Sequence, residues 1–282
     1  MTTISTSPLN EVPPFSIHDL LNLDNSSHSF FSVSIWTLGA RCCNMGLKNP
    51  RRQDRMKIDP PNLDRRETHR LILDVVQPRP IAFVSTIGED GVFNLAPFSC
   101  FAPISMKPAL ICVEVTRRRG GQKKDTLKNI EFSRDFVVNV VTEALAEPMN
   151  QSAAEYPSHV DEFQEVGLTP AQSDLVKSPR VAESPVNMEC KLVQILEFGE
   201  FPTISSLIIA EVVRVHIKDE LVVDGRVKTA HLKAIGKLGE ELYCRTIDTF
   251  EMKGQFPILQ SGDGPRLSSL LQNRSDPSGI ES

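Results

Sequence analysis

Between about residues 56 and 255, apolar positions fall into short strand-like runs separated by turn residues; neither end of the chain holds such a pattern. Ile81 to Ile87 reads as a strand, and Gly88-Glu89-Asp90-Gly91 as the hairpin turn into a second, Val92 to Ala96, which Pro97 should stop. Leu110 to Val115 and Phe136 to Val141 give two more strands. Met188 to Phe198 and Leu207 to Ile217 give two long ones, and Glu241 to Arg245 a short one. Helices are few. Asn62 can cap one that runs to Val75, a short one follows from Thr126 to Phe132, and Ala144 to Ala153 makes a third, broken by Pro148. Many strands joined by short links predict a mainly β, antiparallel barrel. A doubly wound parallel sheet would need a longer helix between each pair of strands.

The flanks differ. Residues 1–55 are rich in Ser, Pro and Asn with no sustained period, which predicts disorder, and the Phe30–Leu38 run finds no evident partner there. After Phe256 the tail returns to Gly, Pro, Ser and Asn. The 282 residues are therefore expected to comprise an N-terminal extension (1–55), one folded domain (56–255) and a flexible tail (256–282).

Charge and cysteine content narrow the function classes. With 31 Lys and Arg against 36 Asp and Glu the net charge is −5, which argues against general nucleic-acid binding. Six cysteines are too few for a disulfide scaffold. Cys42 and Cys43 are adjacent, whereas Cys100, Cys112, Cys190 and Cys244 lie in apolar stretches, as buried free thiols of a cytoplasmic protein would. No segment reads as membrane-spanning, since Glu211 and Arg214 interrupt the apolar Ser206–Ile217 stretch. Phe30 to Ala40 has the length of a signal-peptide core, but the residues before it carry Glu11, Asp19 and Asp24 and no Lys or Arg.

The sequence lacks a G-x-S-x-G elbow, a phosphate-binding Walker loop, G-x-G-x-x-G and H-E-x-x-H. Its histidines (His18, His28, His69, His159, His216, His231) show no metal-ligand spacing, and His216 reads as structural, so no metal site is expected. Chemistry here points to a bound organic cofactor. Two stretches suit one. The first is the hairpin from Arg79 to Phe101, with hydroxyls at Ser85 and Thr86 and polar or small residues at Asn94, Ala96 and Ser99. Ser85 and Thr86 are consecutive strand positions, so their side chains face opposite ways. An ordinary proline-stopped hairpin reads equally well. In the second, Asp125 or Thr126 can cap a helix with Lys124 just outside it, an arrangement that favours a phosphate dianion as well as being common for a solvated lysine.

Seven segments occur in a fixed order: Asp59-Pro-Pro-Asn-Leu-Asp-Arg-Arg, Arg79-Pro-Ile-Ala-Phe-Val-Ser-Thr, Asn94-Leu-Ala-Pro-Phe-Ser, Lys124-Asp-Thr-Leu, Phe136-Val-Val-Asn-Val-Val, Asp161-Glu-Phe and Glu183-Ser-Pro. Together they resemble the flavin reductase-like family, which includes flavoredoxins, over residues 56–255. The resemblance implies an FMN-binding split β-barrel of Greek-key type, usually a homodimer with FMN near the subunit interface. It implies that Ser85, Thr86, Asn94, Ala96 and Ser99 lie along the flavin and its ribityl chain, and that Lys124, Asp125 and Thr126 lie by the phosphate. Strand geometry leaves either Ser85 or Thr86 as a main-chain contact only.

The sequence departs from the family in three places. Where the family has an arginine before Lys-Asp-Thr, this chain has Gln122 and Lys123. Lys237-Leu-Gly-Glu stands where Arg-Leu-Gly-Gly is common, and residues 1–55 have no counterpart, so they are expected to be dispensable. The implied chemistry is hydride transfer from NADH or NADPH to FMN, with an electron acceptor or an oxygenase downstream. The alternatives are a flavin-dependent oxidase or oxygenase acting on a small organic substrate, and a non-catalytic FMN-binding protein. The loop carrying Arg117, Arg118, Arg119, Lys123 and Lys124 could attract nicotinamide phosphates, or be simply solvated. His159 could face the nicotinamide, or be an exposed loop residue.

Overall fold

A computed structural model of the protein describes residues 55–252. The expectations for residues 1–54, including the Phe30–Leu38 run with Cys42 and Cys43, and for the tail beyond 252 lie outside the described residues. Helix α1 (Arg65–Val75) starts later than predicted, because Pro60 and Pro61 hold Pro60–Asn62 in a 3-10 turn. Asp64 is the cap instead. It accepts from Glu67 N at 2.8 Å while Glu67 accepts from Asp64 N, and this reciprocal box fixes the helix start.

Seven strands form the main sheet: β1 (Ala82–Ile87), β2 (Phe93–Phe98), β3 (Phe101–Met106), β4 (Ala109–Thr116), β5 (Asp135–Val140), β6 (Val186–Phe198) and β7 (Ser205–Ile217). Their order is β2-β1-β5-β6-β7-β4-β3, antiparallel throughout. β5, β6 and β7 are neighbours in turn and β4 lies beside β7, which is a Greek key whose long connection runs from Arg117 to Arg134. The edge strands β2 and β3 are consecutive in the chain, with only Ser99 and Cys100 between them. A sheet whose two edge strands follow one another in the chain bends back on itself, and with no ladder between those strands it is an antiparallel barrel split along that seam.

Ala82, Val84, Val113, Phe136, Val138 and Ile208 fill the barrel. Helix α2 (Asp125–Ser133), carried on the Greek-key connection, adds Leu127 and Ile130 to this core. Phe83 and Leu95, on the other face of the sheet, pack with Leu145, Met149, Phe163 and Val181. Each such side chain contributes roughly 1.5–3 kcal/mol by leaving water. Pro148 does not break a helix. A 3-10 turn at Glu143–Leu145 leads into α3 (Ala146–Gln151), and Pro148 sits in its first turn, where a missing N–H has no helical partner to lose. Nor does Pro97 stop β2. Leu95 N points outward, to Glu162, so the nitrogen of Pro97 two residues on does the same and the ladder to β1 loses nothing.

Residues 172–184 cross the outer face of β1, β5 and β6 as a strap. Its main chain is stitched down by buried side chains. Ser85 donates to Pro179 O at 2.5 Å, and Asn139 accepts from Val181 N at 2.9 Å. Asn187 donates to Val181 O, Asp135 accepts from Lys177 N and Ser178 N, and Glu189 accepts from Asp174 N and Leu175 N. Of the described cysteines, all free, Cys190 alone is buried; Cys112 and Cys244 are half-buried and Cys100 is exposed, so burial was over-predicted. Among the described residues, no helix is long and apolar enough to cross a membrane.

Candidate functional site

Thr86 and Asn94 are opposite one another on β1 and β2, and both face α2. Asn94 Nδ2 donates to Thr126 Oγ1 at 3.0 Å, and Asn129 Nδ2 donates to Thr86 Oγ1 at 3.0 Å. Four polar side chains thus join the hairpin to the first two turns of the helix, and three of them are buried. Ser85 faces the other way. Its hydroxyl bonds Pro179 O and accepts from Asn139 Nδ2, so its side chain is engaged by the strap, and only its main chain is open to the ligand contact expected of it. The strand argument that only one of the two hydroxyls can face the site is met by Thr86.

The N-cap of α2 is Lys124, not Asp125 or Thr126. Asp125 is drawn away from capping by Arg118, whose Nη2 donates to it at 2.6 Å, and by Lys128 at 2.9 Å. With no capping side chain, the N–H groups of Asp125 and Thr126 donate to no acceptor among the described residues. Lys124 has no ion-pair partner among them either. Its ammonium lies 5.6 Å from the centre of the Phe98 ring, and burial pushes its pKa down despite Glu155 and Glu114 nearby.

The rest of the basic loop is mostly neutralised. Arg117 pairs with Glu197, Lys123 with Glu131 at 2.5 Å and Arg118 with Asp125. Lys123, at the place of the family arginine, is thus held by Glu131. Arg118 is the guanidinium held at the helix start, tied also to Tyr156 O at 3.1 Å. Within a run of cations, sequence offered no signal to single it out.

Of the cavities that touch β2, two carry the expected site residues. One of about 530 Å³ is lined by Asn94, Asp125, Lys128, Asn129 and Ser158. The other, about 140 Å³, is lined by Pro97, Phe98, Ser99, Lys237 and Tyr243. Ala96, half-buried, lies on the strand between them. Ser99 Oγ accepts from Arg79 Nε at 3.4 Å, and the Arg79 guanidinium also holds Val76 O and Leu238 O, clasping the end of α1 to the barrel. His159 is exposed and follows Ser158, which lines the larger cavity. His216, read as structural, donates to or accepts from buried Glu189 at 2.6 Å, and Asp174 comes close to both. Glu189 is already held by two main-chain N–H groups and Asp174 by Arg214, so the cluster is closed within the fold.

The family model described as "Flavin reductase like domain" matches residues 77–231, which span the barrel, the strap and α2. The chain belongs to the flavin reductase-like family. Nitrilotriacetate monooxygenase component B from Bacillus cereus is 32% identical, with a TM-score of 0.68 over 70% of this chain and 98% of that one. Pseudomonas fluorescens 2-nitrobenzoate 2-nitroreductase is 31% identical, with a TM-score of 0.65 over 73% of this chain and 100% of that one. A split-barrel domain protein from Shewanella frigidimarina shares the fold at 21% identity, with a TM-score of 0.60 over 69% and 96% of the two chains. Family membership carries the coarse function, that of a flavin-linked oxidoreductase. Within this flavin reductase-like chain, Glu162 is the site neighbour that sequence reasoning passed over, and Arg118 and Arg79 were named there without a role of their own.

Proposed function

We propose that the protein binds FMN along β2 and works as an NAD(P)H-dependent flavin reductase or an electron-transfer flavoprotein. One observation carries the reading: Lys124, half-buried and with no ion-pair partner among the described residues, stands at a helix start whose first N–H groups are unbonded among them, beside the hydroxyl of Thr126. Those groups suit a phosphate dianion, and Arg118 adds a second cation held in place by Asp125. Thr86, Asn94, Ala96 and Ser99 would then follow the ribityl chain and ring toward the smaller cavity.

Bound flavin would supply the two-electron chemistry, taking hydride from a nicotinamide and passing electrons onward. This chain's own part is to hold and orient. Lys124 and the α2 N–H groups neutralise the phosphate, and the Asn94–Thr126 and Asn129–Thr86 bonds fix the hairpin against the helix. The likeness to a monooxygenase component supports an oxygenase or other acceptor as the downstream partner. The likeness to a nitroreductase favours, as a second reading, direct action on a small organic substrate. A homodimer is part of the proposal, supported by Ile104 and Met106 exposed on the edge strand β3.

The test is to purify the protein, look for a yellow chromophore, and add NADH or NADPH without oxygen. Bleaching supports the reductase. A yellow protein that neither nicotinamide bleaches is a flavin carrier or uses another donor. A colourless protein that takes up no added FMN defeats the flavin reading.

A further inference from the structure

Glu162 opens the four-residue helix α4 (Glu162–Glu165), and its side chain turns in to the outer edge of β2. Only 7% of the residue is exposed. One carboxylate oxygen, Oε2, accepts from Leu95 N at 3.2 Å, and no Lys, Arg or His pairs with the group among the described residues. The charged groups around it are negative: Asp125 on α2 and Asp161 on its own turn. Arg118 and Lys128 are committed to Asp125. β2 contributes no titratable group, only the Leu95 N–H. A carboxyl buried without a counter-ion resists ionisation, and these surroundings push Glu162 up to about 7. The residue it holds, Leu95, stands between Asn94 and Ala96, the strand positions assigned above to the ligand.

We propose that Glu162 ties a proton to the charge of the ligand on β2, being ionised when the site is empty and neutral when an anionic flavin phosphate fills it. Binding then draws a proton from solvent onto the carboxylate, turning –COO⁻ into –COOH. The proposal rests on the FMN reading. Its physics is ordinary Coulomb repulsion. At an effective dielectric of about 20, a like charge about 10 Å away shifts a carboxyl by roughly one unit, which is tenfold in affinity. A Glu162 that merely caps an edge N–H would do that duty at any pH.

The experiment is FMN affinity across about pH 6.5 to about pH 8.5, for the natural protein and for E162Q, whose amide oxygen can still accept from Leu95 N. Wild-type affinity should fall severalfold over that range, while E162Q affinity should stay level or rise slightly. Ionisation of the FMN phosphate, with a second pKa near 6, is common to both proteins and runs in the opposite direction. Equal pH profiles for the two proteins overturn the proposal and leave the FMN reading standing. No FMN binding at any pH in either protein defeats the FMN reading itself. Should E162Q not fold, carbon NMR of the Glu162 carboxyl in the natural protein decides. Its titration midpoint must rise on adding FMN, and an unmoved midpoint overturns the proposal.

Discussion

Without any ligand, Glu162 should also govern how stability depends on pH. Its carboxyl is raised from an ordinary 4.5 to about 7, first by burial and then by Asp125 and Asp161. Between those values the folded protein binds a proton that the unfolded chain releases. Stability is therefore full below 4.5, falls as pH rises through the window and levels off above 7. A shift of about 2.5 units at 1.36 kcal/mol per unit corresponds to about 3 kcal/mol. E162Q cannot ionise and keeps an acceptor for Leu95 N, so it should be nearly as stable as wild type at low pH and about 3 kcal/mol more stable above pH 8. Urea unfolding of both proteins at a series of pH values measures the difference directly, since equal slopes leave the midpoints to report stability. A difference that does not change with pH would refute the reasoning, because a packing or hydrogen-bond effect of the amide carries no proton.

Other outcomes follow from the same structure. Lys124→Met should weaken FMN binding by about tenfold or more while leaving the urea midpoint unchanged or slightly raised, since an apolar stem of similar length is kept and the half-buried ammonium near Phe98 is removed. Glu197→Ala strands the Arg117 side chain, which is 4% exposed and whose Nη1 already lacks a partner. The cost should be about 2 kcal/mol in denaturant unfolding, less than for a fully buried pair because Glu197 is half exposed. Asn139→Ala removes the amide that joins Phe83 O, Ser85 Oγ, Val181 N and Asn187. It should cost about 3 kcal/mol and speed proteolytic cutting within residues 172–184. Light scattering should return a dimer mass for the natural protein.

The hairpin of β1 and β2 was legible because its turn residues and its strands are local. So was the rule that Ser85 and Thr86 face apart, which needs only the strand period. Which of them faces α2 was not legible, since that depends on a strap arriving from about 90 residues later in the chain. β3 went unread because Pro103 lies at a register shift in an edge strand, and a short run broken by proline looks like a loop. The caps failed for a nearby reason: Asp125 had two cations competing for it and Asp64 had Glu67 to complete a box. Lys124 could be picked out from its place before a helix. Arg118 and Glu162 could not, since each takes its meaning from a partner distant in sequence, the carbonyl of Tyr156 and the amide of Leu95.

The strap over residues 172–184 is fixed by matching donors to acceptors more than by packing. The side chains beneath it recognise particular peptide groups, Asp135 and Glu189 two N–H groups each, so the strap can lie in only one alignment. Sliding it by a single residue would take Val181 N and O away from Asn139 and Asn187 and Pro179 O away from Ser85, leaving several buried groups unpaired together. Irregular segments usually absorb insertions and deletions easily. This one should behave in the reverse way, accepting changes of side chain at its exposed positions and rejecting a change of length.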